Sequence, residues 1–368
     1  MNARDVRITA VALQARVPII QWGPPGCGKT MGDYAIARSL HRPMRVLIAS
    51  QYSPEDLASG YPIADLANGV VRMLPNNALW GDLAEDHIIL LDEFSTLEGR
   101  QQAPLLRPLN ENMIGERALP KGLSWVLAAN PPDQAAGGHD LAAATANRLL
   151  HIDIVPDPMA VVQGAIADWP DPIVPALPII WESLVGTVST VIAAYIRAQP
   201  HKLSVIPADP GAMGRAFPTA RSWFKLAARM LAACEAAGLG EEDVITALGG
   251  CVGNGHAAEL LAWRHNLDLA DPEELLVKHK TFRLPKQQDK QFATLASVVS
   301  AVIRNVTPER WEAVWAILGA AAKQGAPDVA AAAVITLAKA QGQTKGLFAP
   351  VAAMEPFRPM LAKAGLLK

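Results

Sequence analysis

Up to about residue 155, short apolar runs alternate with longer stretches of mixed polarity. The runs predict strands at 17–21, 45–49, 87–91, 123–128 and 150–154. The stretches between them predict helices and turns, 31–40 among the helices, which is the rhythm of an α/β domain with a largely parallel sheet. In the last run Leu150, Ile152 and Ile154 alternate with His151 and Asp153, the pattern of a strand buried on one face and suited to an edge. Beyond Val155 the β pattern fades. Pro156, Pro158, Pro170, Pro172 and Pro175 break helices and suit a linker, so a boundary is expected there.

The remainder is rich in Ala and Leu at helical spacing, with Trp223, Ala227, Met230, Leu231 and Cys234 on one face. The segment 179–196 is the most apolar internal stretch. Glu182, Ser183, Thr187, Ser189 and Thr190 interrupt it, so a buried amphipathic helix is expected there and not a membrane span. A proline-bounded interruption of mixed charge at 266–285 (Asp268, Asp271, Glu273, Glu274, Lys278, Lys280) precedes further helices from 287 to 340. The expected organisation is an α/β domain at 1–155, an α-helical region at 156–265 and a C-terminal helical extension at 266–368.

Two segments carry the chemistry. Gly23-Pro24-Pro25-Gly26-Cys27-Gly28-Lys29-Thr30 fits G-x-x-x-x-G-K-[ST] between an apolar run and a helical segment, the context of a phosphate-binding loop. Its glycines let successive backbone N–H groups curve around phosphate oxygens at a helix N-terminus. Lys29 would reach the β and γ phosphates, and the Thr30 hydroxyl would ligate Mg²⁺. Ile88-Ile89-Leu90-Leu91 suits a central parallel strand, with Asp92 and Glu93 emerging at its C-terminal end, where ligands bind in open α/β sheets. Asp92 would hold Mg²⁺, and Glu93 would orient and polarise the attacking water.

With these motifs in this order, residues 15–225 resemble the AAA+ superfamily, and within it the MoxR-like branch that includes CbbQ- and NorQ-type activators. The resemblance implies a P-loop NTPase sheet flanked by helices, then an all-α lid and a C-terminal helical region, with ATP and Mg²⁺ as cofactors. It places sensor 1 at Leu123-Ser124-Trp125-Val126-Leu127-Ala128-Ala129-Asn130-Pro131-Pro132, with Asn130 near the γ phosphate, although Asn before Pro is also a plain turn former. It makes Arg148, in Ala146-Asn147-Arg148-Leu149-Leu150, an arginine finger supplied to a neighbouring subunit, where the branch more often has Asp-Arg-Phe; a surface ion pair is the competing role. It makes Arg221, in Phe217-Pro218-Thr219-Ala220-Arg221-Ser222-Trp223, the sensor 2 cation.

The segment 60–75 contains Asn68-Gly69, the preferred two-residue turn of a β-hairpin, and resembles the helix 2 insert of the MoxR-like and McrB-like branch. In that branch such a hairpin faces the pore or a bound partner. A second hairpin at 113–120 resembles the pre-sensor 1 insert, and ordinary surface hairpins are the alternative for both. The implied function is a hexameric ring of identical chains that uses ATP hydrolysis to remodel a partner protein, of the kind that carries a von Willebrand A domain. A McrB-like nucleic-acid motor working with a nuclease and a nucleotide-controlled scaffold are the alternatives. Glu93, Asn130 and Arg148 argue for hydrolysis over mere binding.

Composition narrows these choices. The 368 residues are 51% hydrophobic, enough for a large core. A net charge of -2 supplies no overall positive field for nucleic acid. Arg4, Asp5, Arg7 and Gln14 break up the opening segment, which therefore lacks the apolar stretch of a signal peptide, and a cytoplasmic protein is expected. Cys27, Cys234 and Cys251 are too few and too irregular for a disulfide framework or a zinc site. Cys27 is read as a small residue that fits its loop, and His87 and His139 as structural or surface residues. Trp22, one of nine tryptophans, is expected in the core or an interface, with contact to a base as the alternative.

Overall fold

The computed structural model describes residues 1–131, 134, 138–267, 269–341 and 350–366; Pro132, Gly137 and Asp268 lie outside the described residues. Helix α1 (Ala3–Gln14) leads into β1 (Ile19–Trp22), α2 (Lys29–Ser39) and β2 (Met44–Ile48). A hairpin of β3 (Tyr61–Asp65) and β4 (Val70–Leu74) follows, then α3 (Asn77–Trp80), β5 (Ile88–Asp92) and α4 (Gly99–Glu111). The short pair β6 (Met113–Ile114) and β7 (Arg117–Ala118) precedes β8 (Ser124–Ala129), α5 (Ala143–Ala146) and β9 (Leu150–Asp153).

Strands β2, β5, β8, β1 and β9 form, in that spatial order, a five-stranded parallel sheet. Each strand expected from the apolar runs is present, shifted by a residue or two at its ends, and β9 is at the edge. Alternation along the strands divides the sheet's side chains between two cores. Ile19, Ile88, Leu90, Val126 and Ala128 face the first core. Ile20, Ile89, Leu91, Trp125 and Leu127 face the second, with Trp80, Phe94 and Leu105. His151 departs from the expected outward alternation: it is 7% exposed, stacked on Trp22, whose indole N–H donates to its Nδ1 at 3.1 Å. Burial and the nearby Arg215 push its pKa down to about 4, so the ring is neutral.

After β9 the chain is helical: α6 (Pro158–Ile166), α7 (Leu184–Ala198), α8 (Pro210–Met213), a π-helical turn Ser222–Ala227 running into α9 (Ala228–Ala237), α10 (Glu241–Val252), α11 (Asn254–His265) and α12 (Pro272–Val277). Helices α13 (Gln288–Arg304), α14 (Pro308–Lys323), α15 (Pro327–Gln341), α16 (Val351–Met354) and α17 (Arg358–Lys363) complete it. The first core runs without a break from the sheet into these helices, through Trp223, Met230, Leu231, Val299, Trp315 and Leu337. Helix α10 lies so close to β9 that a Cβ on Gly250 would stand 2.2 Å from the His151 carbonyl oxygen. Only glycine permits that approach.

Three local expectations change. The proline-rich segment after Val155 contains α6, because Pro158 takes the first helical position, where no N–H is needed, and the Asp157 carboxylate caps Met159 and Ala160. The helix expected at 179–196 starts at Leu184, and Ile179 is 85% exposed. The first hairpin closes by a four-residue loop from Leu66 to Gly69, not a two-residue turn: Asp65 pairs with Val70, and its carboxylate accepts from the Asn68 side chain at 2.8 Å. Among the described residues no helix is long and apolar enough to cross a membrane.

The interior strand β5, between β2 and β8, carries the acidic pair on a fully buried base, Leu90 being 0% exposed. Truncation by Leu90→Ala is expected to cost about 2–5 kcal/mol, the usual range for a buried leucine, seen as a lowered urea midpoint with an unchanged slope.

Candidate nucleotide site

The spatial order of the sheet assembles the site. Strand β8 lies between β1 and β5, so the C-terminal ends of these three neighbours bring together the loop after Trp22, the Asp92–Glu93 pair and Asn130. The loop is anchored where the Gly23 N–H donates to the Ala129 carbonyl at 3.1 Å. Gly26 (φ 73°) and Gly28 (φ 83°) both take the left-handed conformation that glycine alone adopts without strain. They curl the backbone around Cys27 and turn it into α2. Gly28 is the N-cap of α2 and no side chain caps that end, so the first-turn amides keep the positive end of the helix dipole open to an anion.

Lys29 is 8% exposed, and its ammonium donates to the carbonyls of Gly23 (2.7 Å) and Pro24 (3.1 Å) and to Asn130 Oδ1 (3.0 Å). Burial lowers its pKa, while Cys27, Asp92 and Asp33 act to raise it. The Thr30 hydroxyl donates to Asp92 Oδ2 at 2.9 Å. A hydroxyl and a carboxylate this close are hard oxygen donors of the kind Mg²⁺ takes, and the ammonium beside them suits a polyphosphate, so the residues present fit a magnesium nucleotide. Glu93 sits at φ 56°, an uncommon conformation for a residue with a side chain. Its carboxylate accepts from the Ser50 hydroxyl at 2.8 Å. Asn130 is steadied by its own N–H, which donates to Ser95 Oγ at 3.2 Å.

Arg148 and Arg221 stand apart from this cluster: among the described residues neither is hydrogen-bonded or ion-paired to the loop. Arg148 donates to the Ala144 carbonyl and lines a cavity of about 350 Å³ with Ala58, Ser59, Pro104, Arg107 and Glu111. Burial, and then the proximity of Arg221, hold its pKa below the usual guanidinium value. Cys27 is buried with Sγ 3.9 Å from the Lys29 ammonium, in keeping with a small residue that fits. Trp22 is a core residue, 2% exposed. His139 is exposed and His87 accepts the Ala84 N–H at 3.0 Å; among the described residues neither belongs to a group of three or more His, Cys, Asp or Glu placed to hold a metal ion.

Sequence motifs did not single out several neighbours. Ser50 is one. Arg215 is another: its guanidinium lies 4.2 Å from the centroid of Trp22 and is paired with Asp153 at 2.8 Å. Asp33, one helical turn beyond Lys29, is fully buried and accepts from Gln21 Nε2 at 2.8 Å, tying α2 to β1 beneath the loop. No spacing rule marks these positions, because their partners are distant in sequence.

Burial raises the Asp33 pKa from 3.8 to about 7. The folded protein therefore holds a proton that the unfolded chain has released, so stability falls as pH rises from about 4 to about 7, by at most about 1.4 kcal/mol per pH unit from this group. Urea unfolding of wild type and Asp33→Asn across that range should show the variant's stability dependent on pH by one proton less.

Residues 19–137 match the family model described as ATPase family associated with various cellular activities (AAA). A structure of a candidate ATPase from Cytophaga hutchinsonii aligns with 77% of this chain and 90% of its own, at 15% identity and a TM-score of 0.41. A point mutant of Thermotoga maritima RuvB aligns with 83% of this chain and 84% of its own, at 12% identity and a TM-score of 0.30. The phosphate loop, the acidic strand end and Asn130 converge inside the span, residues 19–137, that is similar to the AAA ATPase family model.

Proposed function

We propose that the chain forms a ring, hexameric as in the MoxR-like branch it resembles, and couples ATP hydrolysis to the remodelling or activation of a partner protein. The observation that carries the hydrolytic half is the convergence of Lys29, Thr30, Asp92, Glu93 and Asn130 on one sheet edge beside an uncapped helix N-terminus. Bound Mg²⁺ would neutralise charge on the β and γ phosphates, held by Thr30 and Asp92. Lys29, now occupied by loop carbonyls, would exchange them for phosphate oxygens. That exchange frees Asn130 to orient water. Glu93 would polarise that water after parting from Ser50.

Support for a ring comes from Arg148 and Arg221. They are like charges near one another with no carboxylate paired to either among the described residues, an arrangement that an anion from another chain would relieve. Support for a protein client comes from the β3–β4 hairpin, where Ile63 (50%), Leu66 (91%) and Val71 (64%) are exposed. Its position is tied to the second hairpin: Glu116 accepts from the Met73 N–H at 3.0 Å, and its own N–H donates to the Met73 carbonyl at 2.8 Å. Glu116 also pairs with Arg72 at 3.1 Å. A hairpin held this way can follow movements of the segment before the Asn130 strand. The client class implied by the resemblance is a protein with a von Willebrand A domain.

Glu93→Gln is expected to keep nucleotide affinity while lowering phosphate release by about 100-fold or more; an unaltered rate would remove Glu93 from this role. For the ring, Arg148→Ala mixed with Lys29→Ala should recover activity at mixed interfaces that neither variant shows alone. Absence of rescue at every mixing ratio would exclude a finger acting between subunits.

A further inference from the structure

The segment that joins α6 to the helical region returns to the phosphate loop. Trp169 lies with its indole on Gly28, so close that a Cβ on that glycine would stand 2.5 Å from the indole Cη2. The other edge of the same indole covers Gly164 of α6, where a Cβ would stand 2.7 Å from Cδ2. Two glycines on different elements thus leave room for one side chain. Asp168 and Trp169 are both left-handed, each at φ 52°, a strained pair for residues with side chains. The Trp169 N–H donates to the Gly164 carbonyl at 2.8 Å.

The residues that follow are strapped across α2 and then α1. Arg38 donates to the Trp169 carbonyl and pairs with Asp171 at 2.6 Å, and the Ser39 hydroxyl donates to the Pro172 carbonyl at 2.7 Å. Gln14, in α1, donates to the Pro175 carbonyl at 2.7 Å and accepts the Leu177 N–H at 3.1 Å. Four residues on, Trp181 lies under the Arg229 guanidinium of α9 at 4.9 Å, and Arg229 pairs with Glu182 at 2.6 Å. A continuous line of contacts therefore leads from the N-cap of α2 to the helical layer. The Arg38–Asp171 pair is about half exposed and holds the strap only weakly.

We propose that Trp169 is a positioning residue that senses occupancy of the phosphate loop and, through the 168–182 strap, communicates it to the helical region. This rests on the nucleotide reading of the loop. Gly28 is the residue whose peptide must turn toward a phosphate, and any rotation there moves the indole packed on it. A strained backbone held by weak bonds at one end and joined to a packed helix at the other is readily displaced, so a small shift at Gly28 would be passed along it.

The experiment is amide hydrogen–deuterium exchange on the full chain with and without ADP, together with ADP affinity, for wild type, Trp169→Ala, Trp169→Phe and Gly164→Ala. In wild type, ADP should alter exchange in peptides covering 164–173 and 175–182. Trp169→Ala and Gly164→Ala, which remove or displace the indole from different elements, should each abolish the response at 175–182 and weaken ADP binding about fivefold or more. Trp169→Phe keeps a ring on Gly28 and should restore the response. If either alanine variant fails to fold, the other decides. Wild type that binds ADP with no change at 164–173, or a response at 175–182 that survives in a folded alanine variant, would overturn the inference. Wild type that binds neither ADP nor ATP would overturn the nucleotide reading and this inference with it.

Discussion

Everything at the site depends on the helix N-terminus that begins at Lys29 without a side-chain cap. A helix leaves its first amides without internal partners, and most helices answer with a serine, threonine or aspartate. Here Gly28 occupies that position, and the open amides face the end of the sheet where β1, β5 and β8 finish. The Lys29 ammonium is folded back onto the carbonyls of Gly23 and Pro24, so the loop supplies the cation with acceptors from its own backbone. This is an arrangement of donors and acceptors that an incoming polyphosphate would rearrange rather than create.

The sheet beneath makes that rearrangement local. Two cores, one on each face, fix the strands beneath Asp92, Asn130 and the loop, while the groups above them hydrogen-bond to exchangeable partners: Thr30 to Asp92, Glu93 to Ser50, and Lys29 to Asn130 and the Gly23 and Pro24 carbonyls. Beneath the loop, Gln21 and Asp33 join β1 to α2 by one hydrogen bond inside the core, where leaving either group alone would be costly. The continuity of the first core into α7, α9 and α13 to α15 also means that the helical layer is packed directly on the sheet. A change in the tilt of α2 or β9 is therefore felt by packed helices, not across an open hinge.

The two hairpins and the strap are the parts of the molecule that lie outside this rigid frame. Apolar side chains on β3 and β4 stay exposed, whereas Glu116 fixes where the hairpin stands. On the other side of the loop, the 168–182 segment is bound by short-range polar contacts to α2 and α1 in turn. Both are long-range contacts between segments of mixed polarity, the kind of structure that neither periodicity nor local propensity reports.

The sequence by itself determined the five strands, the phosphate loop, the acidic strand end and the all-α character of the second half. Each rests on local rules: alternation at period two, glycines at left-handed positions and apolar spacing at 3.6 residues. What it missed locally follows from competing local chemistry. Pro158 starts a helix inside a proline-rich segment, and Asp65 lengthens the loop that Asn68-Gly69 would otherwise close in two residues. The rest belongs to tertiary structure alone. His151 is buried because Trp22 and α10 cover it, Glu93 is held by Ser50, Arg148 and Arg221 approach one another, and Trp169 reaches Gly28. These pairs are brought together by strand order and helix packing, and no pattern along the chain encodes which distant side chains those forces will place in contact.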